Sequence, residues 1–290
     1  MVALRFPALC LAALLALITS AAADPALFAV SDEDTTVYVF GTVHMLRSDE
    51  DWQGATISDA LAASDAVYFE ADVYTIDPSV MQSVVVRHGF FQNGEDLSAY
   101  LSGDEWQALA IYAAQIGLPI DALLPMQPWF AAITLATVAA MAEGLDPDSG
   151  VESLLHEDIA KTDIERRYFE TVEQQIRFLS DLPMDIQIQL LNETVTESDT
   201  SMDTMDALVA AWREGDLDRL DELANGSMRE AFPDLYDAVI LRRNRNWADE
   251  LTVLMETPGT YFVAVGSAHL PGDKGLINLL RGEGYAVARQ

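Results

Sequence analysis

The sequence predicts an α/β protein: a central mixed sheet formed from N- and C-terminal strands, with a long, mostly helical insert around residues 98–256. Two observations carry that prediction. Thr36-Val37-Tyr38-Val39-Phe40-Gly41-Thr42-Val43-His44 and Thr260-Tyr261-Phe262-Val263-Ala264-Val265-Gly266-Ser267-Ala268-His269 are β-branched and aromatic runs that each end in Gly-x-x-His. Between these two ends the chain reads chiefly as helices with recognisable starts and stops.

In chain order, Leu27–Val30 and Thr36–Val43 read as a hairpin around Ser31-Asp32-Glu33-Asp34. Residues 53–64 read as a helix and Ala66–Glu70 as a short strand ending in an acid. Asp77-Pro78 opens a second helix, and Ser98 and Ser102 are cap candidates for a third that runs to about residue 116. Residues 122–142 carry no charge, which is long enough to span a bilayer. The prolines at 125 and 128 and the absence of a basic flank favour a buried helix starting near Pro128. Helices follow at Gly150–Thr162, Val172–Leu182, Met184–Glu197, up to Trp212, and at Leu217–Leu223, with a strand at Arg166–Glu170. One long helix is expected over Asp234–Glu256, then the strand Thr260–Val265, a helix at Leu276–Arg281 and a last strand at Tyr285–Ala288.

Residues 1–23 read as a cleavable signal peptide: Arg5, an apolar stretch from Ala8 to Ile18, then Ala21-Ala22-Ala23. A periplasmic or secreted protein is expected, with residues 24–290 forming one domain and no stable membrane span after cleavage. The only Cys, Cys10, leaves with the leader, so the mature chain forms no disulfide. Leu9 before it argues against lipidation. Asp and Glu number 47 against 16 Lys and Arg, a net charge of −31. Such a chain has no bulk attraction for nucleic acid or anionic lipid.

His44 and His269 are the leading candidates for chemistry, because a strand followed by a Gly-turned loop delivers an imidazole to the sheet rim, where open α/β sheets bind ligands. The glycine three residues earlier is expected to let the backbone turn sharply. His88 and His156 lack this context and read as ordinary helix or surface residues. Glu70 and Glu170 close the two Tyr-Phe-Glu strands, Tyr68-Phe69-Glu70 and Tyr168-Phe169-Glu170, and should reach the same rim. Two histidines with one or two carboxylates suit a hydrolytic Zn, Mn or Co site; without metal, a His–Glu pair activates water. Arg243 and Asn244 lie mid-helix in a basic cluster; Arg243 is a candidate for binding a substrate carboxylate or an oxyanion. Glu152, Gln174 and Gln175 are polar residues whose roles spacing does not assign.

Phe40-Gly41-Thr42-Val43-His44, Tyr68-Phe69-Glu70-Ala71-Asp72, Tyr168-Phe169-Glu170-Thr171-Val172-Glu173-Gln174-Gln175, Arg243-Asn244-Arg245-Asn246-Trp247 and Val265-Gly266-Ser267-Ala268-His269-Leu270-Pro271-Gly272 together resemble the TraB/GumN family, relatives of the PrgY pheromone-shutdown proteins and the Tiki metalloproteases. The resemblance implies a mixed α/β fold with a site using both Gly-x-x-His motifs, an acid after an early strand and an Arg from a late helix. Tiki-like members are divalent-metal proteases. Erythromycin-esterase-like and haem-binding ChaN-like proteins share the two-histidine layout. Carried over, His44, Glu70 and His269 hold a divalent ion (Mn, Co or Zn), with Glu170 as base and Arg243 and Asn244 beside it.

The expected function is an exported, metal-dependent, peptidase-like hydrolase acting on a peptide or small-molecule substrate. The alternatives are a binding protein using the same cleft without turnover, and a metal-free esterase-type hydrolase.

Overall fold

The computed structural model describes residues 24–92, 94–196 and 201–290. The signal-peptide expectation therefore lies outside the described residues.

Six strands form one mixed sheet in the order β4-β3-β5-β2-β1-β6. They are β1 (Leu27–Ser31), β2 (Thr35–Thr42), β3 (Ala66–Ala71), β4 (Glu165–Glu170), β5 (Gly259–Gly266) and β6 (Ala286–Arg289). The helices are α1 (Ala55–Ala62), α2 (Pro78–Gly89), α3 (Gly103–Gln115), α4 (Pro128–Ala142), α5 (Val151–Ile159), α6 (Val172–Ser180), α7 (Met184–Thr196), α8 (Ser201–Glu214), α9 (Leu217–Leu220), α10 (Gly226–Ala231), α11 (Pro233–Tyr236), α12 (Arg242–Leu254) and α13 (Leu276–Gly282).

β1 pairs antiparallel with β2 and β6. β2, β5, β3 and β4 run parallel to one another, with Gly41 opposite Val265, Thr42 opposite Gly266, and Ala71 opposite Glu170. Parallel pairing joins the two ends of the chain and puts four strand C-termini on one rim. Alternation splits β5 between the two faces. Tyr261, Val263 and Val265 pack with Trp247, Leu251, Leu276 and Leu280 of α12 and α13. Phe262 and Ala264 pack with residues of α1, α5 and α8, including Ile57, Leu155 and Trp212.

Most element limits agree with the sequence reading to within a few residues. Ser102 caps α3 through a reciprocal capping box with Glu105, whereas Ser98 caps nothing and sits in a 3-10 turn that Asp96 caps. Pro128 opens α4, as expected. Among the described residues no helix is long and apolar enough to cross a membrane. The single helix expected over 234–256 is instead α11, a π-helical turn at Asp237–Leu241, and α12. A second π-helical turn, Asp221–Asn225, joins α9 to α10. Both widened turns lie beside the rim, a common place for such insertions.

Candidate functional site

The two glycines act differently from the expectation of a sharp turn. Neither Gly41 nor Gly266 has a positive φ. They are small because neighbours leave no room: a Cβ on Gly41 would lie 2.8 Å from Leu270 Cδ1, and one on Gly266 would lie 3.2 Å from Glu70 Oε1. The second motif thus packs directly on the first, and Glu70 packs directly on the second.

His44 follows β2 on the wall of a cleft, its side chain 73% exposed. Its Nδ1 is 2.9 Å from Glu152 Oε1. Thr42 Oγ1 donates to the same oxygen at 2.5 Å. Glu152 is in the first turn of α5, and Gly150 lets that turn approach; a Cβ there would lie 2.1 Å from the His44 carbonyl oxygen. The Val151 N–H donates to the Val43 carbonyl at 2.9 Å and locks the two loops together. The negative charge of Glu152 pushes the His44 pKa up to about 9, so the ring is an imidazolium at neutral pH.

His269 is the opposite. It is buried, and its Nδ1 is 2.6 Å from Asn244 Oδ1. Asn244 spends its Nδ2 hydrogens on the carbonyls of His269 and Lys274, at 3.2 and 2.9 Å. Its Oδ1 can therefore only accept, so the network assigns the proton to His269 Nδ1 and a lone pair to Nε2. Burial pushes the His269 pKa down to about 3 and Arg243 adds to this, while Glu70 opposes it. The loop that carries it is held by Asn225, whose Nδ2 donates to the Ala268 carbonyl at 2.9 Å.

Arg243 ties the centre together. Its Nη2 donates to Glu70 Oε2 and to Glu170 Oε2, and its Nε donates to Glu170 Oε1 at 2.9 Å. Nη1 donates to His269 Nε2 at 3.2 Å and to the Val239 carbonyl, inside the π-helical turn, at 3.3 Å. All five guanidinium N–H groups are thereby committed. The guanidinium carbon also lies over the rings of Trp247 and Phe178, 4.6 and 5.3 Å from their centres. Glu70 also accepts from the Gly266 N–H at 2.6 Å and from Gln175 Nε2 at 2.9 Å. Burial alone would raise its pKa; Arg243 and the neighbouring histidines overcome this and hold it down to about 2. Glu170 moves the other way, raised by burial against the pull of Arg243.

His44, Glu70, Arg243 and His269 therefore line one cleft of about 500 Å³. Glu170 does not: it lines a separate cavity of about 580 Å³ with Arg177 and Asp237. Asn244 reaches the cleft only through His269. The sequence left Glu152 and Gln175 without roles; they prove to be the partners of His44 and Glu70. Gln174 completes a capping box with Thr171 at the start of α6. His156 is not an ordinary surface residue. It is buried and stacked on Phe69 at 3.9 Å between ring centres, in a small cavity of about 50 Å³ shared with His44, Glu70 and Glu152. Burial drives its pKa down to about 4. Its helical spacing from Glu152, four residues on, was the available signal. Nothing comparable marked Asn225.

Zn, Mn and Co take the donor types present here, and His269 Nε2 keeps its lone pair. Placement is another matter. Among the described residues no three His, Cys, Asp or Glu side chains stand close enough together to hold an ion. Arg243 joins Glu70 to His269 Nε2 instead. As placed, the residues fit a guanidinium at the centre and not an ion.

The fold and rim define a class: an α/β protein whose two ends each contribute a Gly-x-x-His histidine to one cleft, with an acid and an arginine between them. The chain belongs to the TraB/PrgY/gumN family, whose model matches residues 26–289. Among its relatives, the uncharacterised protein YbaP of Escherichia coli (strain K12) is 27% identical over 245 residues, covering 84% of this chain and 87% of the relative. The uncharacterised protein YbaP of Shigella flexneri matches to the same extent, 27% over 245 residues. No solved structure gives a significant match.

Proposed function

We propose that this protein is a hydrolase of amide or ester bonds whose site is the cleft shared by His44, Glu70 and His269. The observation that carries the proposal is the convergence of two differently partnered histidines and a carboxylate on one cleft, His44 Nδ1 lying 2.9 Å from the Glu152 carboxylate and His269 Nδ1 2.6 Å from the Asn244 amide oxygen. One is held charged by Glu152 and the other neutral by burial, and paired groups with pKa values pushed apart are how a site divides acid and base roles.

His44 supplies the acid. With Nδ1 turned to Glu152, Nε2–H is the hydrogen it offers to the cleft. Glu70 is ionised, and three of its acceptor sites are taken by Gly266, Gln175 and Arg243. The remaining lone pair orients a water against the substrate carbonyl. Water adds to the carbonyl carbon, the bond to the leaving nitrogen or oxygen breaks, and the His44 Nε2 proton goes to that leaving atom. The proton released by water returns to His44 through the open cleft. Arg243 has no N–H left for an oxyanion, so its part is to position Glu70 and His269.

The test is a screen of capped peptides and ester substrates with the mature chain. Turnover that falls by about 10²–10⁴-fold in His44→Gln and in Glu70→Gln supports the reading. Turnover untouched by either change overturns it. The divalent ion implied by the family resemblance is tested separately, by metal analysis of the purified chain. One bound ion per chain, lost in His269→Ala, would replace the guanidinium-centred site with an ion-centred one. Export is part of the proposal; it rests on Arg5, the apolar stretch and Ala21-Ala22-Ala23, and N-terminal sequencing of protein from the cell envelope checks it.

A further inference from the structure

Two buried residues of α5 carry polar atoms for which the described residues supply no partner. Glu152 Oε1 accepts from Thr42 and lies beside His44, but among the described residues Oε2 accepts from no other residue. His156, one turn further along the same helix face, bonds through neither Nδ1 nor Nε2. Glu152 is 7% exposed and His156 6%. Folded proteins leave few buried polar groups unpaired, and a group of them at one place points to a ligand.

Both residues line the cavity of about 50 Å³, together with Phe69 and Tyr74, and His44 and Glu70 complete its wall. The cavity therefore adjoins the reacting atoms without using them: the His44 Nε2–H and the last Glu70 lone pair stay with the scissile bond and its water. Phe69 stacks on His156 at 3.9 Å. Tyr74, 42% exposed on the loop after β3, lies 4.8 Å from the same ring and is the side chain that must shift to admit a ligand.

The unpaired atoms select the ligand by their chemistry. Burial keeps His156 neutral and Arg166 adds to this, so the ring has one N–H and one lone pair whichever tautomer forms. Burial pushes Glu152 toward its neutral form, but the His44 imidazolium overcomes this and holds it ionised, so Oε2 can only accept. The set is one donor and two acceptors. A primary carboxamide is its complement, with one carbonyl and two N–H groups. A hydroxyl would leave one acceptor unmet, and an ammonium would leave the imidazole N–H unmet. A carboxylate donates nothing and repels Glu152. Size agrees, since 50 Å³ holds roughly three or four water-sized groups and a carboxamide has about that many heavy atoms.

We infer that the Glu152–His156 cavity is a specificity pocket for a primary carboxamide, carried as the side chain of an Asn or Gln residue next to the bond to be cleaved. The inference deepens the proposed function and rests on it only in taking the bearer to be the substrate, since the pocket itself is read by binding.

The test uses pentapeptides labelled with dansyl at the N-terminus and closed by a dimethylamide, so that the central side chain is the only primary carboxamide. Peptides with Gln or Asn at the centre are compared with Glu, Leu and Lys counterparts by fluorescence anisotropy on the mature chain. The better carboxamide peptide should bind about tenfold or more tightly than each counterpart. Propionamide should displace it and propionate should not. His156→Phe keeps a flat ring against Phe69 and removes only nitrogens that bond nothing, so it should melt no lower than wild type while the carboxamide preference falls to within about twofold. Val73→Trp, at a 42% exposed position lining the cavity, should abolish the preference by filling the mouth, and it decides the matter should His156→Phe not fold. Equal binding of the Gln, Glu and Leu peptides, or a preference that survives both variants, overturns the pocket. Binding of propionamide with no preference among the peptides assigns the cavity to a free amide and overturns the side-chain assignment. A carboxamide preference without turnover of any amide or ester would sink the hydrolase reading and leave the pocket standing; turnover lost in His44→Gln but indifferent to a carboxamide would do the reverse.

Discussion

After Gly41-Thr42-Val43 the chain sets His44 on an exposed loop against the carboxylate of Glu152; after Gly266-Ser267-Ala268 it buries His269 against the amide of Asn244. The same short sequence unit thus yields a charged ring in one place and a neutral ring in the other. The difference comes from the partners, neither of which belongs to the repeated unit. Glu152 comes from a helix N-terminus, where a carboxylate is favoured by the exposed N–H groups. Asn244 comes from inside α12, where an uncharged side chain can be buried once its hydrogens are bonded. A motif can therefore fix where an imidazole goes without fixing its protonation.

The severest way to break this pairing is to remove what the second unit leans on. Arg243→Met leaves Glu70 and Glu170 buried without their cation, and a denaturant melt should show a loss of about 3–5 kcal/mol. Arg243→Lys should recover only part of it, because an ammonium cannot make the five-way contact. Stability unchanged by Arg243→Met would mean that the guanidinium network does not form.

The next two changes exchange the partners' characters. Asn244→Asp gives His269 an acid like that of His44. Its pKa should rise well above about 3, as read by NMR titration, with about 1–3 kcal/mol lost because the His269 and Lys274 carbonyls lose their donor. Glu152→Gln does the reverse at the first unit. The His44 pKa should fall from about 9 toward 6.5, and the alkaline limb of any pH–activity curve should move down with it. An unmoved limb would show that His44 is not the acid.

The sign for stability follows from the same shift. The His44 pKa is raised in the folded state, so its contribution is complete below the ordinary imidazole value near 6.5 and is lost as pH rises through about 9. Solvent reaches the exposed His44 and screens its pair with the buried Glu152, so the alkaline loss should be small. Glu70, depressed to about 2, contributes above its ordinary value of 4.5 and loses that contribution as pH falls toward 2. Acid melts of wild type and Glu70→Gln should therefore converge at low pH. A further change tests where the two units touch: Gly41→Ala presses a methyl on the buried Leu270 Cδ1 and on the Ser267 backbone, and should cost about 1–3 kcal/mol in a thermal melt.

The strands, most helices and the convergence of His44, Glu70 and His269 were legible in the residues, because alternation, caps and strand ends are local signals. The partners were not. Glu152 looks like any acid at a helix start, and Gln175 like any polar residue of α6. His156 hides its burial because the aromatic side chains against it come from β3, the loop after it and β4. The π-helical turns that bring Asn225 and Arg243 to the rim left no trace in the apolar period. The apolar run at 122–142 announced that something must cover α4; that α7 covers it and that Ile133, Ala136 and Thr137 line the His44 cleft came only from the tertiary structure.

By itself, then, the sequence determined the sheet and the two sites of delivery, since hydrogen-bonding periodicity and side-chain alternation act over a few residues. Tertiary structure alone decided which ring carries charge, where the guanidinium sits and which face of α4 lines the cleft. Those outcomes depend on charges and contacts between segments far apart in sequence, and a local pattern does not encode them.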